Sequence, residues 1–264
     1  MKKNLLIYTL ASFLIFTFAT TAAAKKITLV TDPFPPYYSE KNGKTFGLQY
    51  ELANIVFREM RMSFEIKFMP WKRALLVAES LQADGVFGLR KTKQRLRWLI
   101  YPDEPLMVVK TVIFHRNDTP FEYTGIESLT GKKVGTIKGY TYGKDFDKSK
   151  LFKREEVSSL KLNFMKLAAG RVDLVAAYKA VGIYTLEQMG MSDKISFSYK
   201  PVHNIPMYIG FARNPGNGKL AAEFSRRLVE LKKSPECAEL IKKMNIYEYM
   251  PNPCYKKNIT VPLD

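Results

Sequence analysis

The sequence is poor in the side chains that most often bind metals or act as nucleophiles. Its 264 residues include only two histidines and two cysteines. His115 and His203 are single and far apart, so they offer no cluster for a metal ion. No histidine lies near Cys237 or Cys254 in the chain, so a catalytic cysteine is the weaker interpretation. We therefore expect neither a metal nor another cofactor.

Long apolar runs are also lacking, apart from one at the N-terminus. Two lysines precede an apolar run over residues 5–18, and the alanines at 22–24 then offer small residues for cleavage. The run is too short for a membrane span, and no second one follows. Residues 1–24 are therefore predicted to be a cleavable signal peptide. This implies a periplasmic protein whose mature chain begins at about Lys25.

Acidic residues are scarce relative to basic ones. The chain has 25 Asp and Glu against 42 Lys and Arg, a formal net charge of +17, and removal of two signal-peptide lysines leaves +15. Such an excess favours acidic partners, whether nucleic acid, an anionic surface or an anionic small molecule. Export argues against nucleic acid, and the chain has no zinc-finger spacing or RNA-recognition motif. An anionic small molecule is the expected partner.

The two cysteines both lie near the C-terminus. In an oxidising compartment Cys237 and Cys254 are expected to form a disulfide rather than two free thiols. Closing that loop stabilises a fold by roughly 3 kcal/mol in the chain-entropy model. The disulfide would hold the aromatic, proline-rich tail from Asn245 onward against the preceding helix.

The first part of the mature chain alternates strand and helix patterns. Strands are predicted over residues 27–31, 64–68 and 84–87, with helices opening at Gly47 and Pro70. This order implies a mainly parallel sheet with right-handed crossovers. The turn after the first strand contains three prolines and several aromatic residues, so it is predicted to be stiff and to present aromatic faces.

The stretch DGVFGLRKTKQR at residues 84–95 is the one around which the chain is organised. Its strand is predicted to end through Gly88, and a loop with four cations follows: Arg90, Lys91, Lys93 and Arg95. Ligands of open α/β sheets bind outside the carboxyl ends of the strands, which is where this loop lies. The planar fork of arginine pairs with a carboxylate through two hydrogen bonds. For any one of these cations the alternative is a solvated basic loop.

A second unit repeats this plan. A strand at 134–137 leads into a glycine-bounded loop, and a helix at 159–169 precedes a strand at 174–177 that ends at Tyr178. A glycine-bounded loop that opens a helix can hold an anion against backbone N–H groups, although the signal is weak alone. An amphipathic helix followed by a buried strand occurs in both units, which predicts two similar lobes.

Two extended runs connect these lobes. Residues 108–115 lead out of the first lobe and residues 207–213 lead back, followed by a helix at 219–232 and a shorter one ending near Met244. The fold class is therefore α/β with two lobes, each a mainly parallel sheet flanked by helices, and two crossover strands as the hinge. The predicted boundaries are 25–113 with 208–264 for the first lobe, and 114–207 for the second.

Several motifs occur in order along nearly the whole mature chain. They are GLQYELA at 47–53, Trp71, T-x-x-R at 92–95, L-x-G-K-x-V-G-x-x-x-G at 129–139 and AGRVD at 169–173. Together they resemble those of bacterial periplasmic solute-binding proteins of the polar-amino-acid type, which feed ABC transporters. The resemblance implies a type II periplasmic-binding fold, a monomer, and delivery of a small solute to a membrane permease.

The resemblance also implies roles for particular residues. In that family the arginine of T-x-x-R clamps the ligand carboxylate, which points to Arg95. An aromatic residue after the first strand stacks on the ligand, which points to Phe34 or Tyr37. The first residues after the second-lobe glycine, here Tyr140 and Thr141, add hydrogen bonds to the carboxylate. The full set of candidate ligand-binding residues is Arg95, Phe34, Tyr37, Trp71, Leu89, Arg90, Thr92, Tyr140, Thr141, Tyr142 and Tyr178.

The chain departs from the family where amino-acid binders place an aspartate for the ligand's ammonium group. Tyr178 stands there, followed by Lys179, and the helix start at Lys72 and Arg73 is also basic. A phenol brings no charge, and a buried ammonium without an acid is heavily penalised. Common amino acids are therefore expected to bind weakly, and an anion or a planar polar molecule is preferred. Asp32 is the alternative acceptor that could reverse this expectation.

Several candidate residues have an alternative, purely structural interpretation. Trp71 could cap the core of its helix, and Tyr140 and Tyr142 could be surface aromatics. Lys72 and Arg73 are favoured as solvated residues.

Three functions are compatible with the residues. Binding of a solute for transport is the favoured function. An exported enzyme on the same fold, of the dehydratase or transglycosylase type, is less favoured because such enzymes need a general acid or base and Asp32 is the one acid near the predicted cleft. A sensory role, in which the ligand-bound protein contacts a membrane receptor, cannot be separated from transport by sequence.

Overall fold

The computed structural model describes residues 26–244 and 252–254. The predicted signal peptide and most of the C-terminal tail lie outside the described residues. In chain order the strands are β1 Lys26–Thr31, β2 Ser39–Lys41, β3 Lys44–Phe46, β4 Ser63–Phe68, β5 Gly85–Leu89, β6 Leu99–Ile100, β7 Met107–Arg116, β8 Lys133–Ile137, β9 Lys153–Val157, β10 Leu174–Tyr178, β11 Ile195–Phe197 and β12 His203–Ala212. The α-helices are α1 Leu48–Glu59, α2 Trp71–Glu79, α3 Lys144–Lys148, α4 Leu160–Ala168, α5 Lys179–Met189, α6 Asn217–Lys233 and α7 Pro235–Lys243.

Two parallel three-stranded units form the two ends of one long sheet. The first has the order β4-β1-β5 and the second the order β9-β8-β10. We call the first unit with its flanking helices the first lobe, and the second unit with its helices the second lobe. This strand order confirms the predicted fold class. Each lobe forms a parallel unit because the sequence repeats an amphipathic helix followed by a buried strand.

Two long antiparallel strands join the lobes. β7 and β12 pair from Met107↔Met207 to Thr111↔His203. Beyond that segment β12 pairs with β5 of the first lobe, and β7 pairs with β10 of the second. The paired segment is therefore the expected hinge, while the predicted lobe boundaries at 113/114 and 207/208 stay a prediction.

Each lobe has its own aromatic core. In the first, Phe57 packs against Phe64 and Phe224, with ring centroids 4.8 and 5.0 Å away. In the second, the Phe114 ring lies 5.2 Å from that of Phe164. A Cβ added to Gly182 would come within 2.1 Å of the Phe114 ring, so this glycine lets α5 pack directly on β7.

The strand after Asp84 is longer than predicted. β5 continues through Gly88 to Leu89, and all five of its residues are buried. Gly88 has φ 69°, and an added Cβ would lie 2.4 Å from the Tyr38 ring. The glycine thus bends the strand around a packed ring and does not end it.

Six of the strands and α-helices were not predicted from the sequence: β2, β3, β6, β9, β11 and α5. The hairpin β2–β3 and strand β9 are rich in charged residues, and β9 is an edge strand, so neither shows the usual apolar alternation. Helix α5 carries apolar residues on several faces because it packs against both β7 and α4. β12 begins at His203, before the predicted Met207, because its polar first residues pair with the hinge part of β7.

The predicted disulfide is present. It joins Cys237 in α7 to Cys254, with a Cα–Cα distance of 5.8 Å. None of the helices within residues 26–244 is both long enough and apolar enough to cross a membrane.

Candidate ligand-binding cleft

The aromatic turn after β1 lies between the lobes. The Phe34 N–H donates to the Tyr38 carbonyl at 2.8 Å, which closes the turn. The Phe34 ring stacks on Tyr37 at 5.4 Å and lies 5.7 Å from the Tyr38 ring. It also meets the Tyr178 ring of the second lobe, 5.3 Å away and nearly perpendicular. Because Tyr37 is fully buried, Phe34 is the ring of this turn that faces the second lobe.

Arg95 begins a short 3-10 turn beyond the carboxyl end of β5. The Thr92 hydroxyl oxygen accepts a hydrogen bond from the Arg95 backbone N–H at 3.2 Å, so this threonine caps the turn. The guanidinium carbon lies 5.2 Å from the Trp71 ring centroid, and Nη1 donates to the Arg90 carbonyl at 3.2 Å. The Trp71 ring therefore packs against the guanidinium, a contact that the sequence did not predict, and its stacking on a ligand stays a prediction.

The Arg95 guanidinium has no carboxylate partner among the described residues. Burial lowers the pKa of Arg95 from its ordinary value. The nearby charge of Arg90 lowers it further, while Tyr101 and Tyr178 oppose the shift. A partly buried cation that lacks an acid is an incomplete ion pair, and an anion from solution would complete it.

Two of the three cations before Arg95 act on different groups. The Lys91 ammonium lies 4.3 Å from the Tyr208 ring centroid and 5.8 Å from that of Tyr101. Burial lowers the pKa of Lys91, and Asp103 opposes that shift. Arg90 directly follows β5, and its charge acts on Tyr178.

The second lobe supplies tyrosines at the ends of its strands. In the loop after β8, the Tyr142 hydroxyl accepts from the Ile137 N–H at 2.8 Å, which holds that ring in place. Tyr178 ends β10, and its hydroxyl donates to the Thr141 carbonyl at 3.5 Å. The Tyr140 and Tyr142 rings lie 6.1 and 6.4 Å from the Tyr178 ring. This side of the cleft thus offers three phenols, which line one cavity together with Lys138 and Lys161.

Burial raises the pKa of the Tyr178 phenol to about 12. The positive charges of Arg90 and Arg95 oppose that shift, and Asp147 and Asp32 add to it. Burial, followed by the charge of Asp32, also raises the pKa of Tyr140. Both phenols are therefore protonated at neutral pH and can donate hydrogen bonds to an anion.

A cavity of about 700 Å³ extends from these tyrosines across the lobe interface. Its lining includes four predicted site residues, Phe34, Tyr140, Tyr142 and Tyr178. Residues that the sequence analysis missed complete it, mostly from the loop before α4 and from α5, among them Ser158, Ser159, Val181, Tyr184 and Gln188. Because the α5 helix itself was missed, no sequence signal pointed to its residues.

Among the residues that the structure describes, Asp32 is the one acid that lines this cavity. Burial raises the pKa of Asp32 to about 6, and a backbone hydrogen bond partly opposes that shift. No lysine or arginine among the described residues lies within ion-pair distance of it. The carboxyl group is therefore held partly protonated near neutral pH.

The other seven predicted site residues lie outside the cavity lining: Arg95, Tyr37, Trp71, Leu89, Arg90, Thr92 and Thr141. Leu89 is in the core under the strand end, and Thr92 caps the turn described above. Lys72 and Arg73 are exposed at the start of α2. The Lys179 ammonium lies 4.7 Å from the Phe197 ring.

No metal site is found within the described ranges, since they contain no group of three or more histidine, cysteine, aspartate or glutamate side chains that could bind an ion.

Residues 27–245 match the family of bacterial extracellular solute-binding proteins, family 3. An arginine-binding periplasmic protein from Mannheimia haemolytica is 23% identical over 250 residues, covering 92% of this chain and 98% of that protein. A sensor domain of a histidine kinase, with similarity to periplasmic binding proteins, superposes with TM-score 0.68 at 22% identity, over 83% of this chain and 96% of that one. An ancestral arginine-binding protein bound to arginine gives TM-score 0.67 at 23% identity, over 83% and 97% of the two chains.

The class that fold and cleft define is therefore a two-lobed solute-binding protein. More particularly, the chain belongs to the bacterial extracellular solute-binding proteins, family 3.

Proposed function

We propose that this protein is exported, binds a small polar solute with an acidic group between its lobes, and delivers that solute to an ABC transporter permease. Family membership supports solute binding. The observation that carries the finer proposal is the Arg95 guanidinium, which is partly buried, supported by Trp71 and free of any acid partner in the described chain. A carboxylate from solution completes that ion pair through two parallel hydrogen bonds.

The lobes close around the solute by bending at the β7–β12 segment. Residues from each lobe then contact the same ligand: Arg95 binds its acidic group, and Tyr140 and Tyr178 donate hydrogen bonds to it. Ligand contacts made only in the closed form shift the population towards that form. Phe34, which already contacts Tyr178 across the interface, provides a flat apolar wall for the rest of the solute.

A cationic amino acid is the second candidate solute. The M. haemolytica relative is an arginine-binding protein, and Asp32 gives the cavity one carboxyl group that could accept a guanidinium. The α-ammonium of such a ligand would meet the uncharged phenol of Tyr178. The charges of Arg90 and Arg95 that act on this phenol would repel the ammonium, and those of Asp147 and Asp32 would only partly offset that repulsion. That repulsion is why we favour an acidic solute that lacks a free ammonium.

Two further roles are ranked lower. The structure is similar to the sensor domain of a histidine kinase, so an alternative is that the ligand-bound protein contacts a membrane receptor instead of a permease. An adjacent sensor-kinase or permease gene would distinguish them. An enzyme is less favoured because Asp32 is the one acid lining the cavity, and the relatives compared above are described by binding or sensing.

The proposal is tested by a ligand panel measured by thermal shift and calorimetry. The twenty amino acids are compared with organic acids and with N-acylated amino acids, which keep the carboxylate and lose the ammonium charge. We expect at least one acid without a free ammonium to bind more tightly than any unmodified α-amino acid. Sub-micromolar binding of arginine or of another common amino acid would contradict the proposed solute.

Export has its own test. The apolar run and the alanines at 22–24 predict that periplasmic material starts at Lys25 or within a residue or two of it. Intact-mass measurement on that fraction checks this, and retention of Met1 would show that residues 1–24 are not cleaved.

A further inference from the structure

Aromatic rings form much of the wall of the cavity between the lobes. They come from the turn after β1, the loop after β8, and the end of β10 with the α5 helix that follows it. The five rings are those of Phe34, Tyr140, Tyr142, Tyr178 and Tyr184. The cavity of about 700 Å³ lies within the range of roughly 300–1,000 Å³ that is usual for pockets enclosing an organic ligand.

Four of these rings form one connected cluster around Tyr178. The Phe34 ring of the first lobe lies 5.3 Å from the Tyr178 ring, at an interplanar angle of 81°. The Tyr140 and Tyr142 rings lie 6.1 and 6.4 Å from it, at 40° and 32°. These separations are within the range of favourable aromatic pairs, so the four rings hold one another in place.

Tyr184 is the cavity ring that belongs to no such pair. It lies on α5, is half-buried, and contacts no other aromatic ring within the part of the chain that the structure describes. Aromatic rings attract one another beyond the effect of the apolar area that they bury. A ring from solution can therefore supply the partner that Tyr184 lacks within the protein.

Charged side chains do not account for the buried part of the lining. Lys138 and Lys161 line the cavity but are exposed, whereas all five rings are buried or half-buried. Arg95, the proposed anchor for the acidic group, lies outside the lining. The acidic group therefore occupies one end of the cavity at most, and the rest of the solute faces the aromatic wall.

Resting on the proposed function, we propose that the solute is an aromatic acid whose flat ring is bound in this cavity against Phe34 and Tyr184. Tyr184 is a specificity-determining residue, because it selects a flat ring over a saturated ring of similar size. A saturated ring is at least as hydrophobic as a flat one, so an apolar cavity without aromatic pairing would bind it equally well or better. The choice between two such rings therefore measures the contribution of the aromatic wall.

The test uses two acids that differ only in the ring. Phenylacetate is compared with cyclohexylacetate by calorimetry on the mature protein at neutral pH. Phenylacetamide, which keeps the flat ring and loses the charge, completes the set. We expect phenylacetate to bind about fivefold more tightly than cyclohexylacetate, or better, because of the aromatic pairing. It should bind about tenfold more tightly than phenylacetamide, or better, because of the charge.

Variants of Tyr184 locate this preference. Tyr184→Leu removes the ring and keeps an apolar side chain, so the preference for phenylacetate over cyclohexylacetate should fall to about twofold or less. Tyr184→Phe keeps the ring and should keep the preference. Tyr199→Leu is the matched control, because that ring is 83% exposed and lies outside the cavity lining. Thermal melts identify any loss of folding, and the comparison on the unmodified protein depends on no variant.

The outcomes separate the two proposals. Equal or tighter binding of cyclohexylacetate by the unmodified protein, or no binding of phenylacetate, overturns the aromatic acid. An unchanged preference in a folded Tyr184→Leu overturns the assignment of specificity to Tyr184. In each of these cases the acidic solute stands if another acid of the ligand panel binds. Phenylacetamide that binds as tightly as phenylacetate would instead overturn the acidic group of the proposed function and leave the ring site in place.

Discussion

The two sides of the cleft differ in the kind of interaction they offer. The first lobe brings Arg95 to a turn beyond the end of β5, over the ring of Trp71, and the Arg90 carbonyl accepts from both Arg95 and Tyr101. The second lobe brings Tyr140, Tyr142 and Tyr178 to the ends of β8 and β10, where Lys138 and Lys161 line the same cavity. The first side provides a guanidinium without an acid partner among the described residues, and the second provides phenols, flat surfaces and two lysines.

This difference suggests a division of labour between the lobes. A charged group held by Arg95 accounts for most of the affinity, because ion pairs out of bulk water are the stronger interactions. The phenols strengthen binding only when the lobes close, since they lie on the far side of the hinge. Variants that change one side at a time therefore test the division.

Removing the anchor should have the largest effect. Truncating one partner of a desolvated charge pair raises the binding free energy by about 2–5 kcal/mol, so Arg95→Ala should weaken the acidic solute by about 30- to 5000-fold. Calorimetry measures the change, with Arg97→Ala as the control in the same turn. A loss of less than about fivefold would place the anchor elsewhere.

Adding charge to the second side should reverse the selectivity. Tyr178→Asp places a carboxylate at the end of β10, facing Arg90 and Arg95, where it can accept an ammonium group. We expect α-amino acids to bind at least tenfold more tightly than to the unmodified protein, and the acidic solute to bind less tightly. Tyr178→Asn, of equal size and no charge, is the control. If the two variants behaved alike, charge at this position would not decide the ligand.

Removing one phenol should have a modest effect. Tyr178→Phe deletes the hydroxyl and keeps the ring that contacts Phe34. The loss of one hydrogen bond to a charged acceptor raises the binding free energy by about 1.5 kcal/mol at the low end of the range, which is roughly tenfold in affinity. Tyr184→Phe, which alters a cavity tyrosine on α5, tests whether any hydroxyl in the lining has the same effect. If Tyr178→Phe lost more affinity than Arg95→Ala, the second lobe and not the first would supply most of the binding free energy.

Protonation of Asp32 should produce the smallest effect. Its pKa of about 6 means that the carboxyl is largely ionised at pH 8 and largely neutral at pH 5. An acidic solute is repelled by the ionised form, so its affinity should rise by a few-fold, on the order of threefold, as pH falls through 6. Asp32→Asn should give a flat profile over pH 5–8. Affinity that falls at low pH in the unmodified protein alone would indicate that Asp32 attracts a cationic ligand.

The same raised pKa affects stability. Because the folded-state pKa of Asp32 lies above its ordinary value, folding favours the protonated carboxyl. That contribution is complete below about pH 4 and is lost as pH rises through about 6. Melting curves of the unmodified protein and of Asp32→Asn should therefore diverge across this range.

The sequence predicted the repeated helix–strand order of the two lobes, because apolar periodicity and glycine positions indicate it. That Arg95 and Tyr178 face one cleft stays a prediction. The sequence did not predict that Trp71 lies beneath the Arg95 guanidinium or that Thr92 caps its turn, because these contacts depend on how a loop folds back on a helix. Apolar periodicity and short motifs do not indicate which residues of a loop and a helix come into contact.

The elements that the sequence analysis missed share a physical cause. β9 is an edge strand of mostly charged residues, so it lacks the alternation of apolar and polar residues. α5 has apolar residues on several faces because α4, β7 and β10 all pack against it. Both escape a search for one apolar face. The consequence was functional, since α5 contributes Val181, Tyr184 and Gln188 to the cavity.

The most direct test of the account is the identity of the solute that the protein carries through gentle purification. Mass spectrometry of the small molecules released from the unmodified protein, compared with Arg95→Ala prepared in parallel, requires no prior choice of ligand. We predict an acidic solute without a free ammonium group, present at near one equivalent and absent from the variant. Arginine or another common amino acid, retained by both proteins, would contradict the account.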